Sequence, residues 1–256
     1  MKRKKNIEWS NLSWNWMSGC TGPNGDNVHC PGCYAKAMAR RLAGRYGYPR
    51  SPNYFKPTLH PDKLHRDLDH KTHPSSLVKP RIFFNVSMGD WMDAKDEWRK
   101  DACKVMKVNP RHIFMTLTKK YDQLDKIPAS FDDGYIPENV WVLISVSYET
   151  QVWGVDKLKE LDASVLGISV EPMMQELEID FEGIDLVIIG GRTRCGRTPA
   201  FRPEKKWVTD MVDKAHDAGA SVFLKPSLRY APEWYAEPIE ELPFHRMSKK
   251  QRSLTE

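Results

Sequence analysis

Six short, almost continuously apolar runs punctuate the chain: residues 81–87, 112–118, 139–147, 164–170, 185–190 and 221–225. Such runs lack the polar–apolar alternation of a half-solvated strand, so they predict strands buried on both faces, as in a parallel sheet. Residues 94–108, 119–127, 150–161 and 203–218 separate them with helical spacing or turn-rich sequence, and a weaker segment follows Met173. Residues 7–17 alternate apolar with polar or small positions through Trp9, Leu12, Trp14 and Trp16, and predict a short strand ahead of the others. Seven strands in this rhythm predict an α/β fold, a partial or full TIM-like (β/α) barrel rather than a doubly wound sheet.

Two helices are expected between the first and second strands. Residues 34–43 combine strong helix formers with apolar positions at helical spacing and meet a stop at Gly44. Residues 62–69 predict the other, in a connection bearing His60, His65, His70 and His73, whose spacing matches no tight ligand pattern and which read as exposed.

With 256 residues the chain fits one barrel over 1–230, with a cluster-binding loop at 19–34 and a C-terminal extension at 231–256. No run of about 18 apolar residues predicts a membrane span. The basic start, Lys2 to Lys5, lacks the apolar segment of a signal peptide, so a cytoplasmic location is expected. In that compartment five cysteines, an odd number, suit metal or redox chemistry better than disulfides. The net charge of +5 is mild and partly terminal (Lys2–Lys5, His245–Arg252), so it permits an anionic substrate without demanding one.

Between the first strand and the first helix, Gly, Pro and Asn exclude a regular element, and three of the five cysteines stand there: Cys20, Cys30 and Cys33. Three thiolates with no obvious fourth ligand suit an iron–sulfur cluster with one open iron, because a structural zinc site takes four protein ligands. Cys30 and Cys33 precede a helix N-terminus, which favours negative charge. The spacing C-x9-C-x2-C leaves room for another ligand, His29 or Asp26, and Cys195 is a further candidate. Cys103, inside a predicted helix, reads as a buried apolar residue.

Chemistry in such barrels gathers where strands end. Ser87 and Asp90 follow the second strand, Thr118 and Lys119 the third, and Ser145, Ser147 and Glu149 the fourth. Ser169 and Glu171, then Gly190 and Gly191, then Lys225 follow the last three. The two glycines permit close approach to a ligand or a tight turn, and without G-x-G-x-x-G they do not signal a dinucleotide site. Arg192, Arg194 and Arg197 form the best local anion-binding candidate, since guanidinium forks match phosphate and carboxylate. Trp91, Trp98, Trp141 and Trp153 read as core, although such rings can stack on bases.

Several short matches occur in order: Ile7-Glu-Trp, Trp14-Asn15, Gly19-Cys20, Cys30-x-x-Cys33-Tyr34-Ala35, Asn139-Val-Trp, Ser145-Val-Ser, Ser169-Val-Glu-Pro172, Ile189-Gly-Gly191, Arg202-Pro203 and Phe223-Leu-Lys225. Together the chain resembles, over about residues 7–226, the phage-associated three-cysteine-motif family, a domain of unknown function whose cysteine triad is similar to that of radical S-adenosylmethionine (SAM) enzymes. The first cysteine gap is longer here, Arg192 stands where the family tends to carry an acid, and Pro226 follows Lys225.

The resemblance implies a radical-SAM-type barrel in which Cys20, Cys30 and Cys33 hold a [4Fe-4S] cluster that binds SAM and generates a 5′-deoxyadenosyl radical. It implies Ser87 or Asp90 at the methionine part, Ser145, Ser147 or Glu171 near ribose, and Gly190–Gly191 against adenine. Arg192, Arg194, Arg197 and Lys225 are left for an anionic substrate, a nucleotide or a nucleic-acid base. It also implies a one-electron reductant, a genetically linked partner protein and a host cytoplasm if the chain is phage-encoded. Two other readings stand beside it: a zinc-binding nucleic-acid-binding or scaffolding protein, and an iron–sulfur redox protein without SAM chemistry.

Overall fold

The structure, a computed structural model, describes residues 7–65, 73–228 and 238–244. In chain order the elements are β1 (Leu12–Trp14), β2 (Met17–Ser18), α1 (Tyr34–Leu42), β3 (Thr58–Leu59), α2 (Pro61–Leu64), β4 (Ile82–Asn85) and α3 (Asp96–Lys107). They continue as β5 (Ile113–Thr118), β6 (Val140–Ser145), α4 (Gly154–Lys159), β7 (Leu166–Val170), β8 (Leu186–Ile189), α5 (Lys205–Asp217) and β9 (Ser221–Leu224).

Seven of the strands form one sheet in the order β1-β4-β5-β6-β7-β8-β9, every neighbouring pair parallel. The sheet curls into a half-barrel, so the partial form of the expected barrel is the one observed. All six apolar runs are strands, and all seven predicted strands are present.

Two apolar layers sandwich the sheet. Phe83, Phe114, Val142, Ile168, Val187 and Val222 point toward the helices and meet Ala102 and Met106 of α3 and Val208 and Val212 of α5. On the other face Phe84, Met115, Trp141, Leu143, Ile188 and Phe223 pack with Trp9, Leu242 and Phe244. Residues 238–244 therefore contribute to the core rather than only extending from it. Leu224 N–H donates to Ile239 O (2.8 Å) and Glu241 N–H to Val222 O (2.9 Å), which covers the open edge of β9.

Several boundaries differ from the sequence-based expectation, each for a local reason. The first predicted strand splits at Asn15: its side-chain oxygen accepts from Ser87 Oγ and Met88 N–H, and Trp16 Nε1 donates to Asn85 Oδ1 (2.7 Å). The chain is thereby tied to the exit of β4, and β2 turns away to pair antiparallel with β3. Over 119–127 there is a 3₁₀ turn at Tyr121–Lys126 instead of an α-helix, followed by Pro128, which has no N–H to continue one. A 3₁₀ turn at Glu149–Gln151 precedes α4, and the stretch from Met173 to β8 contains no helix. Of the helix expected over 62–69, α2 supplies residues 62–64; residues 66–72, His70 among them, lie outside the described residues, as do both basic ends.

His60 and His73 are buried rather than exposed, because each imidazole has polar partners inside the fold. His60 Nε2 meets Ser18 Oγ (2.8 Å) and His73 Nε2 meets Leu64 O (3.0 Å). Burial, helped by Lys63, lowers the His60 pKa to about 4. The unfolded chain therefore takes up a proton below pH 6.5 that the folded protein refuses until about pH 4, and stability falls as the pH drops through this window. Between pH 6.5 and 4.5, urea unfolding is expected to show wild-type stability falling by about 2 kcal/mol more than that of His60→Gln.

Candidate functional site

The three cysteines of the loop lie between β1 and α1, above the C-terminal ends of the strands. Two glycines let the backbone reach that position. Gly19 (φ +94°) forms a parallel bridge with Gly89, and a Cβ on either would stand 2.2 Å from a backbone oxygen, Lys56 O or Gly19 O respectively. Val86, just after β4, has φ +59°, an unusual conformation for a β-branched residue. The segment that follows supplies Ser87 O to the Tyr34 hydroxyl, so the residue beside Cys33 is tied to the end of β4.

The loop is clamped by a buried ion pair. The Thr21 amide and hydroxyl donate to the two oxygens of Asp93 (2.9 and 2.6 Å). Lys120, its side chain only 2% exposed, donates to Thr21 Oγ1 (3.0 Å) and Gly22 O (2.9 Å) and lies 3.2 Å from Asp93 Oδ1. All three ammonium hydrogens thus have acceptors, a condition for a buried cation to be tolerated. Neither Lys120 nor Asp93 was legible as a site residue in the sequence, since nothing links positions 21, 93 and 120 before the chain folds.

Two of the three thiols already receive the bonds a thiolate wants. Cys20 Sγ accepts from Gly22 N–H (3.2 Å), and Cys33, the N-cap of α1, accepts from Lys36 N–H (3.5 Å). Burial nonetheless raises both thiols above the ordinary range, with the Asp90 charge adding to the effect at Cys20. All three cysteines are partly exposed, hence reachable from the mouth of the half-barrel. Among the described residues no group of three or more His, Cys, Asp or Glu side chains is placed to hold a single metal ion.

The additional ligand candidates are differently disposed. Both ring nitrogens of His29 are engaged, Nε2 with Cys20 O and Nδ1 with Lys36 Nζ, each at 2.9 Å. Asp26 is exposed and accepts from Val28 N–H (2.9 Å) in a local turn. Cys195 sits in a tight turn with Thr198, each amide donating to the other's carbonyl (3.1 and 3.0 Å). Cys103 is buried in α3. Trp91 and Trp141 are core residues, whereas Trp153 is half-exposed against Tyr121.

The strand-end residues form two groups. Asp90 sits under the cysteine loop, but its carboxylate accepts from Met92 N–H, Thr118 Oγ1 and Lys119 N–H at 2.8–3.1 Å, and burial raises its pKa despite them. Ser145 and Ser169 are cross-strand partners, both buried, and Ser169 Oγ has no partner among the described residues. Farther up, Glu171, Lys225 and Ser227 surround Gly190, where a Cβ would lie 3.1–3.2 Å from each. Lys225 pairs with Glu171 and with Glu8 (3.4 Å). Burial alone would lower its pKa, yet the two carboxylates prevail and hold it above the ordinary value. Its charge is therefore spent within the fold and does not join the arginines.

Those arginines stand on a hairpin that the sequence did not announce. Arg192 and Phe201 exchange backbone bonds of 2.9 Å, and Arg192 Nε donates to Pro199 O (3.1 Å). The close approach of Phe201 O to Gly191, 2.8 Å from where a Cβ would be, explains the second glycine. At the hairpin tip Thr198 packs on Gly32 (φ +68°), whose Cβ would fall 2.8 Å from Thr198 Cγ2. The hairpin thus rests on the cysteine loop.

A family model described as "Protein of unknown function (DUF5131)" matches residues 4–253, nearly the whole chain. The chain belongs to the DUF5131 family. No curated protein and no solved structure matches it. No helix among the described residues of this DUF5131 protein is long and apolar enough to cross a membrane.

The clamp gives a direct test of how the loop is held. Lys120→Met leaves the Asp93 carboxylate buried without its cation and is expected to cost about 3 kcal/mol in urea unfolding. The double variant Lys120→Met/Asp93→Asn should recover part of that loss.

Proposed function

We propose that this DUF5131 protein is a radical-SAM-type enzyme whose Cys20, Cys30 and Cys33 hold a [4Fe-4S] cluster at the mouth of the half-barrel. The observation that carries the reading is the donor set: three partly exposed thiols in one clamped loop, two of them already receiving backbone N–H bonds. Hydrogen bonds of this kind stabilise cluster thiolates and tune their potential. The engaged ring of His29 leaves the triad without a ready fourth protein donor, which suits an open iron better than zinc. The likeness to phage-associated three-cysteine proteins supports the same reading. When bound, the cluster supplies the electron that cleaves the sulfur–C5′ bond of SAM and yields a 5′-deoxyadenosyl radical for hydrogen abstraction.

The chain's own residues then orient the reactants. Ser87, tied through its carbonyl to Tyr34, is better placed than the internally saturated Asp90 to meet the methionine part of SAM. Ser145, Ser147 or Glu171 would meet ribose, and Gly190–Gly191 would lie toward adenine, with the Glu171, Lys225 and Ser227 side chains beside Gly190 and Phe201 O beside Gly191. The Arg192–Phe201 hairpin faces an anionic substrate and shields the mouth from water, as radical chemistry requires. An external one-electron reductant, and a separate partner protein, complete the proposal.

Anaerobic reconstitution tests it. The protein should take up about four irons with matching sulfide, and release 5′-deoxyadenosine from SAM and dithionite. Iron uptake should be lost in the Cys20→Ala/Cys30→Ala/Cys33→Ala variant and kept in Cys195→Ala and His29→Gln. A colourless protein containing zinc sinks the reading; a brown protein that never yields 5′-deoxyadenosine reduces it to a redox protein.

A further inference from the structure

We infer that the surface around the cysteine loop binds single-stranded nucleic acid along α1 and the arginine hairpin. In meaning this rests on the proposed function, because it names the substrate class of the same site, but the binding itself requires no cluster chemistry.

Two stretches of the chain hold basic residues and no acidic ones. From Asn27 to Pro61 there are Lys36, Arg40, Arg41, Arg45, Arg50 and Lys56 without one Asp or Glu, and from Gly190 to Pro203 there are four arginines without one. With these ten set aside, the chain's remaining 29 basic residues are outnumbered by its 34 acidic ones. These two segments, which lie about 150 residues apart in sequence, and the two basic ends thus carry the excess positive charge of the protein.

Folding joins them, since Thr198 at the tip of the hairpin packs on Gly32, immediately before α1. Arg40 and Arg41 lie in the last turn of α1, roughly 12 Å along the helix from Cys33 at 1.5 Å per residue. Arg45 and Arg50 continue the strip beyond the helix. Among the described residues no carboxylate pairs with Arg40, Arg41, Arg45, Arg50, Arg194 or Arg197, and all six are exposed. Elsewhere on the surface several lysines are neutralised locally, as in Lys107–Asp133, Lys159–Asp180 and Lys214–Glu178. Of the six, Arg45 spends one donor on Arg41 O, and guanidinium groups without carboxylate partners are suited to binding phosphate.

Two exposed aromatic rings favour a single strand over other polyanions. Tyr46 is 77% exposed with φ +52°, held outward between Arg45 and Gly47, and Tyr34, 51% exposed, adjoins Cys33 with its hydroxyl anchored on Ser87 O. Rings presented beside cationic groups are stacking platforms for unpaired bases, while a duplex keeps its base faces covered. A strand tracking the arginines passes the cysteine loop, where one base can be presented to the reactive centre.

The test is fluorescence anisotropy on the anaerobically purified full chain, with labelled oligonucleotides of about 20 residues, DNA and RNA of one mixed sequence, single-stranded and duplex. Single strands are expected to bind in the micromolar range at about 50 mM salt and to weaken with a log–log slope of about −0.7 per phosphate neutralised. Arg40→Ala/Arg41→Ala/Arg45→Ala and Arg194→Ala/Arg197→Ala should each lose at least about tenfold, Tyr46→Ala several-fold, and Lys104→Ala/Lys107→Ala on α3 nothing. The Cys20→Ala/Cys30→Ala/Cys33→Ala variant should bind as the wild type does, which separates failure of the radical chemistry from failure of this surface. Absence of binding, equal losses in the α3 control, a preference for duplex, or displacement by equimolar ATP would each overturn the inference. So would stronger retention on phosphatidylserine vesicles than on the oligonucleotides.

Discussion

The arrangement depends on one constraint: a glycine-rich, irregular loop has to be held over the end of a parallel sheet without regular hydrogen bonding of its own. Gly19 and Gly89 solve the steric part, since their backbones approach closer than any side chain permits. The Asp93–Lys120 pair solves the polar part by satisfying Thr21 and Gly22 from below. A buried ion pair contributes little net stability against its desolvation, but losing one partner is costly, so its effect is to exclude other positions of the loop. A small apolar cluster of Ala35, Ala39, Tyr48, Phe55 and Met88, with Cys20 and Cys33 against it, backs the loop from the other side.

This support explains how polar strand ends are divided. Near the loop, side chains such as Asp90 and Thr118 are consumed in holding backbone, and little of their hydrogen-bonding capacity is left for a ligand. At the end of β7, Ser169 has a hydroxyl without a partner among the described residues, and Glu171, two residues on, pairs with Lys225. The half-barrel therefore presents a thiol-rich end and a more weakly committed polar end under one rim, with the basic hairpin reaching from the second to the first.

Charge distribution follows a similar logic. A net charge of +5 reads as unremarkable when averaged over 256 residues. Placed on the fold it divides into a basic strip around the cysteine loop and a remainder that is acidic on balance. A localised field attracts and aligns an anionic partner, whereas the same charge spread evenly affects little beyond solubility.

The parallel sheet was determined locally, because runs such as Val140–Ser145 and Leu186–Ile189 are apolar throughout and can be satisfied only as strands covered on both faces. The cysteine loop was equally legible, as its composition excludes helix and strand and its thiols announce themselves by type. The split of the first strand at Asn15, the burial of His60 and His73, and the 3₁₀ turn in place of a helix at Tyr121–Lys126 were not, since each depends on a partner distant in sequence or on local competition that periodicity does not resolve. Only the tertiary structure decided which cations serve the fold and which face solvent. Lys225 and Lys120 are bound to carboxylates across the sheet, and Arg194 and Arg197 are carried to the cysteine loop, because ion pairs and the contact of Thr198 with Gly32 join residues whose proximity exists only after the chain has folded.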